Sequence, residues 1–372
     1  GSPPLSRSSG RLLALSWAMY SRFQTFCAER VSIEWLVALR VMIGSVMSWS
    51  AARYLLYGWV ERFYVTPEFF FAYRGFAWLH PLVRWLGSEG MHALFAVLTV
   101  IGLLVAAGAF FRVLCVAWTL VFTLVWLVDV TNYLNHYYLL SLLGGLLACS
   151  PAHHQLSVDA WRGRVPRSTE VAQGWKALFA GQICVVYFFA GLAKLHGDWL
   201  LHAQPLNIWL LARADMPMVG AIFSSWWGAL AMSWSGFLFD TTIWAFLLWR
   251  RTRAVAFAVV VVFHATTALL FDIGIFPWLM PVAATALFAP AWPSRVWRWR
   301  SSSPRPRRAE SLFARASSRR RRERRIHMGA RRSVAQGGDR GLGLEPVRLH
   351  PTRCFPRSAP GVQQPRCLED PA

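Results

Sequence analysis

Trp175-Lys-Ala-Leu-Phe-Ala-Gly-Gln-Ile-Cys-Val-Val-Tyr187-Phe-Phe-Ala-Gly-Leu-Ala-Lys194-Leu195 reads as a membrane-spanning helix. About 20 predominantly apolar residues cross a hydrocarbon core, and this run is that long with only two cations and no acid in it. Similar apolar runs lie at about 33–57, 91–111, 113–130, 137–149, 224–249, 254–271 and 275–288. The expected fold is therefore all-α, a multi-pass bundle of seven or eight transmembrane helices, with 137–149 and 275–288 short enough to be tilted or incomplete. Open strands are excluded at that depth because unpaired backbone groups meet no water there.

Composition agrees. Of 372 residues 55% are apolar and 15% charged, and 21 Trp and 25 Phe are present, as suits interfaces and lipid-facing surfaces. The six cysteines show neither CxxC spacing nor a disulfide-rich pattern. No HExxH, His/Cys metal spacing, GxSxG or phosphate loop occurs, so no metal is expected and serine-hydrolase and nucleotide chemistry are unsupported.

The formal charge of +21 is unevenly placed: residues 301–372 hold 17 Arg against 6 acids, which accounts for +11 of it. Much of the remainder flanks apolar runs. With the N-terminus in the cytoplasm, the cytoplasmic loops carry Arg112, then Arg162, Arg164 and Arg167, then Arg250, Arg251 and Arg253, satisfying the positive-inside rule. No RNA-binding motif or aromatic interleaving accompanies the tail arginines, so nucleic acid is not an expected partner; membrane lipid is. Three regions follow: an amphipathic, cytoplasmic N-terminal segment (1–30), a transmembrane domain (31–295) and a basic tail of disordered composition (296–372).

Ionisable groups inside spanning helices cost about 2.5 to 3.5 kcal/mol each at the centre on insertion scales, so they mark candidate sites. They are Asp129, His136, Lys194, Asp240 and His264, with Arg40 and Asp272 nearer helix ends. Lys194 stands out because the chain holds 37 Arg and only two Lys. Guanidinium does not deprotonate, whereas a desolvated ammonium does and then serves as a base; the plain alternative is a lysine snorkelling to the interface. Tyr187 lies two helical turns before Lys194 on the same face, with Ala190 and Gly191 leaving room for a flat ligand or another backbone. In the topology above, Asp129, Asn135 and His136 open on the same side as Lys194. His136 and His264 have imidazoles able to exchange a proton, or to serve only as core hydrogen-bonders.

The segment Gly181 to Trp199, with Gln182, Tyr187, Ala190-Gly191, Lys194 and Asp198-Trp199 in step, resembles the hallmark segment of the vitamin K-dependent γ-glutamyl carboxylase family and its horizontally transferred transmembrane (HTTM) domain. Asp129 to Leu140 with Asn135-His136, Phe263-His264 with Ile273-Gly274 and Pro290-Ala-Trp-Pro293, and more weakly Leu39-Arg40 with Gly44, are similar too. The resemblance implies hydroquinone epoxidation coupled to glutamate γ-carboxylation, with reduced vitamin K (a menaquinol-type hydroquinone), O2 and CO2 as co-substrates and a Glu-containing peptide as acceptor. It assigns Lys194 as the unprotonated base and His136 as its catalytic partner, and it places Tyr187, Asn135, Asp129, His264 and Arg40 around the quinone. The site is then toward the non-cytoplasmic side. Two departures accompany it. Ala193 stands where well-known members carry a second lysine, and the chain runs into an Arg-rich tail where family carboxylases continue into a further membrane segment and a large outer domain. The rival expectations are a non-enzymatic HTTM protein of peptide export, maturation or immunity, and a truncated or misread gene product.

Overall fold

The computed structural model describes residues 7–297, and among them regular structure is almost entirely helical. The basic tail lies outside the described residues from 298 onward. A first helix, α1 (Arg7–Ala28), packs on α7 (Gln173–Leu192), with Cys27 against Gly174. A two-stranded antiparallel ribbon of β1 (Arg30–Ser32) and β2 (Glu170–Ala172), Val31 opposite Val171, joins the start of α7 to that of α2 (Glu34–Leu56).

Four helices are long and apolar enough to cross a membrane: α2, α3 (Leu79–Ala107), α7 and α12 (Arg253–Leu270). The chain is thus an integral membrane protein. Of the apolar window of α2, 72% is buried within the protein, against 28% for α3 and 22% each for α7 and α12, so α2 is the central post and the others present a face outward. Val97, Val100 and Leu103 on α3 and Val185, Phe189 and Leu192 on α7 are exposed, a surface suited to lipid rather than water.

The α2–α3 contact is set by four small residues. A Cβ on Gly44 would strike the backbone of Ala106, and one on Gly102 would strike that of Ser48. Gly44 and Ser48, like Gly102 and Ala106, are four residues apart, so a small-xxx-small stripe on one helix meets another running the opposite way, and the backbones close up. The Ser48 hydroxyl then donates to the Thr99 carbonyl at 2.9 Å. Within α3 the chain breaks helical geometry at Gly87 (φ 60°, ψ −166°), and it stops at Gly108, whose left-handed φ of 69° closes the last turn.

Next come α4 (Phe111–Trp126) and α5 (Asn135–Cys149), which pack together, then the short α6 (Val158–Trp161). The Asp159 carboxylate accepts the backbone N–H groups of Phe110 and Phe111 at 2.9 Å each, placing negative charge at the N-terminus of α4. After α7 the chain makes three short helices, α8 (Gly197–Leu200), α9 (Leu206–Leu211) and α10 (Gly220–Phe223), around a small core of Ala203, Leu206, Leu210, Ala229 and Leu270. The long α11 (Trp226–Leu248), capped by the Ser225 hydroxyl, returns along α7. It matches the spanning helices in length but carries Asp240 and many Trp, Ser and Thr residues. Finally α13 (Phe276–Ala284) packs on α12 and α2, and α14 (Trp292–Trp297) on α2.

Candidate active site

Lys194 lies just past the end of α7, in the turn that closes it. Its Nζ donates to Asp240 Oδ2 of α11 at 2.6 Å and to the Ala190 carbonyl at 3.2 Å, and it sits 5.1 Å from the centroid of the Trp199 ring. Gly191 permits the approach: a Cβ there would lie 2.6 Å from Thr241 Cγ2 and 3.0 Å from the Thr241 backbone nitrogen. Asp240 is buried, and the helices bring carboxylate and amine together beneath the indole.

Two turns back along α7, the buried Tyr187 hydroxyl faces His264 Nε2 of α12 at 3.4 Å. Phe239, the neighbour of Asp240, meets the Tyr187 ring edge-on at 5.8 Å and stacks on Phe263 at 3.8 Å. His264 is 1% exposed, and its Nδ1 has no partner. Phe276, the first residue of α13, lies 5.0 Å from the His264 ring and 6.3 Å from that of His136 in the first turn of α5. His136 is also buried, with Nε2 unpartnered. Tyr187, His264 and His136 are therefore joined by ring contacts through Phe276, and Lys194 joins them through the adjacent pair Phe239-Asp240.

The remaining sequence candidates fall elsewhere or are engaged locally. Asp129 accepts the Thr131 backbone N–H at 2.8 Å, the Thr131 hydroxyl at 2.7 Å and the Phe71 N–H at 3.3 Å, capping the turn Val130–Asn132. Asn135 is exposed at the start of α5. Arg40 sits near the opposite ends of the helices: its guanidinium donates to the carbonyls of Ala106, Ala152, Gln155 and Leu156, fastening the end of α3 to the loop after α5. Among the described residues no group of three His, Cys, Asp or Glu could hold a metal ion.

Residues 29–292 match the family model of the HTTM domain. The chain belongs to the HTTM family. The match covers all of the cluster, from His136 to Phe276, and no solved structure matches the chain. Within this HTTM domain one pairing and one residue escaped the sequence reading of the site. Asp240 was visible as an intramembrane acid, but its 46-residue separation from Lys194 hid the pairing. Arg53 on α2 was not among the sequence candidates: no acid lies three or four residues away on its helix, but the same holds for Arg40, so the sequence did not set it apart.

Proposed function

We propose that this HTTM protein is a hydroquinone-dependent membrane enzyme of the γ-glutamyl carboxylase type, with Lys194 and Asp240 together handling the proton. The observation that carries the reading is the 2.6 Å contact between Lys194 Nζ and Asp240 Oδ2, set beside aromatic side chains at the end of an apolar helix. A proton passed from Nζ to Oδ2 leaves the uncharged amine that abstraction from a hydroquinone hydroxyl requires. Asp240 then serves as the reservoir for the proton and Trp199 holds the amine in position. The sequence expectation of a lone neutral lysine is refined to a shared proton.

The residues fit a flat aromatic diol. Tyr187, Phe239 and Phe276 supply ring surfaces, and His264 Nδ1 is a buried hydrogen-bonding atom without a partner. Bound there, the hydroquinone would supply, with O2, the strong base needed to activate a glutamyl γ-carbon toward CO2. The chain's own part is to exclude water with its aromatic walls, orient the diol through His264 and Tyr187, and hold the proton at Lys194 and Asp240.

The same reading takes the bundle to cross the membrane seven or eight times with the N-terminus cytoplasmic. In support, the arginine-bearing loops and the Arg40 cage belong to one set of helix ends, while Lys194 and His136 belong to the other. A non-enzymatic role is favoured by one feature, the ion pair itself, because a permanently charged Lys194 would serve to pack α7 on α11 and do no chemistry.

Incubating the full chain in lipid nanodiscs with reduced vitamin K, O2, labelled bicarbonate and a Glu-rich peptide tests the reading. Epoxide formation that disappears in Lys194→Arg supports it. Folded protein yielding neither epoxide nor label, or a cellular phenotype that survives Lys194→Arg, favours the non-enzymatic role.

A further inference from the structure

Beside His136 lies a charge that nothing among the described residues neutralises. Arg53, near the end of α2, is 5% exposed. Its guanidinium packs 5.1 Å from the Trp59 ring centroid and makes one long hydrogen bond, Nη2 to the Tyr137 hydroxyl at 3.4 Å, while Nε has no partner. No carboxylate among the described residues forms an ion pair with it. The contrast with Arg40 is direct, since that equally buried guanidinium donates to four carbonyls. A buried cation without an anion or a set of carbonyls is a large desolvation penalty left uncompensated, and such a group is retained where something else supplies the anion.

The surroundings suit an anion. Gly274 adopts φ +64°, and a Cβ there would lie 3.0 Å from His136 Nε2 and 3.4 Å from Arg53 Nη1, so only a glycine lets the backbone pass here without a side chain pressing on these two nitrogens. Both nitrogens are potential donors that converge on one point. Two helices, α5 at Asn135 and α13 at Phe276, also begin beside it, adding their positive N-terminal ends. Asp129 is committed to its own turn and does not neutralise Arg53.

We infer that Arg53, His136 and Gly274 form a carboxylate-binding subsite. Its ligand is a planar carboxylate with two oxygens to share between the guanidinium fork and the imidazole. On the reading of the preceding subsection, on which the choice of probe rests, the carboxylate arrives as a glutamyl side chain or as bicarbonate, and the rings of Phe276 and His264 link the subsite to the Tyr187 end of the cluster.

The full chain in nanodiscs is titrated with a fluorescent Glu-containing peptide and its Gln counterpart, with acetate, bicarbonate and inorganic phosphate as competitors at constant ionic strength. The Glu peptide is expected to bind at least about tenfold tighter than the Gln peptide, the size of one charge-assisted hydrogen-bond pair. Acetate competing alone identifies the side chain as the source, and bicarbonate competing alone identifies the small anion; either supports the subsite. Phosphate competing as well as both, or equal binding of the two peptides, overturns it. Arg53→Gln and, separately, His136→Gln are each expected to remove the discrimination; a folded variant of either kind that retains it also overturns the subsite, and the two variants guard against loss of folding in one. Lys194→Gln is expected to lose epoxidation yet keep the Glu preference. Loss of epoxidation chemistry from every form of the protein, with the peptide preference intact, would therefore sink the enzymatic reading and leave the subsite standing.

Discussion

Lys194 and Asp240 form a 2.6 Å ion pair across the α7–α11 contact, with 21% and 10% of their side chains exposed. Removing one member strands the other in a poorly hydrated place. Lys194→Met or Asp240→Ala alone is expected to cost about 3 kcal/mol or more, whereas the double change Lys194→Met with Asp240→Leu costs far less, because an apolar pair carries no desolvation penalty. Thermal denaturation in detergent measures the cycle; a double variant as unstable as the sum of the singles would show that the pair is not coupled.

The small-residue crossing of α2 and α3 makes a second prediction. Gly44→Leu and Gly102→Leu each force the backbones apart and are expected to destabilise by about 1 to 3 kcal/mol. Gly145 on α5, with nothing within 4 Å of its missing Cβ, is the control. Its replacement by Ala is expected to be neutral or stabilising by about 0.5 to 1 kcal/mol through helix propensity alone. Equal losses at all three positions would mean that close approach is not what the glycines provide.

Arg40 is expected to matter to the fold and not to the chemistry. Its planar fork reaches four carbonyls at once, which a lysine ammonium cannot do, so Arg40→Lys leaves buried acceptors unpaired and lowers stability by about 2 to 4 kcal/mol. The KM for hydroquinone in that variant is expected to equal that of the parent protein. A raised KM with unchanged stability would return Arg40 to the binding site.

Acid is expected to loosen the loop between α5 and α7. Burial, with His154 and Arg112 nearby, pushes His153 down to about 4 from its ordinary 6.5. Burial opposes charge on Asp159 too, but the N–H groups of Phe111 and Phe110 and the Arg164 guanidinium outweigh it and hold that carboxyl below its usual range. In both cases the unfolded chain binds more protons, so stability rises with pH. The His153 contribution is complete above about 6.5 and lost as pH falls toward 4; that of Asp159 is lost at still lower pH. His153→Gln is expected to flatten the stability profile between pH 6.5 and 4, read by thermal denaturation in a pH series; an unchanged slope would assign the sensitivity elsewhere.

Periodicity and hydropathy made the helices legible. Each apolar run of the sequence falls on one helix, and the run ending at Lys194 becomes α7 and its closing turn. The ribbon of Arg30–Ser32 and Glu170–Ala172 was not legible, since three-residue strands with 137 residues between Ser32 and Glu170 leave no local pattern. At the site, the rarity of lysine singled out Lys194, and the motif spacing singled out Tyr187 and His264. Their partners required tertiary contact. Asp240 is set beside Lys194 by Gly191 and Thr241, and Arg53 differs from Arg40 only in lacking acceptors, which no sequence pattern records. Arg40 was grouped with the site through the weaker resemblance of Leu39-Arg40 with Gly44, which carries no information on which helix partners surround it.

The α7–α11 ion pair also bears on biogenesis. A helix emerging from the ribosome with an uncompensated carboxylate partitions poorly into a bilayer, and α11 carries Asp240. In the proposed topology, in which α11 also spans, α7 is synthesised earlier and its amine is present to neutralise the newcomer. The order of the two segments along the chain would then set an order of assembly, with one helix as the receptor for insertion of the other.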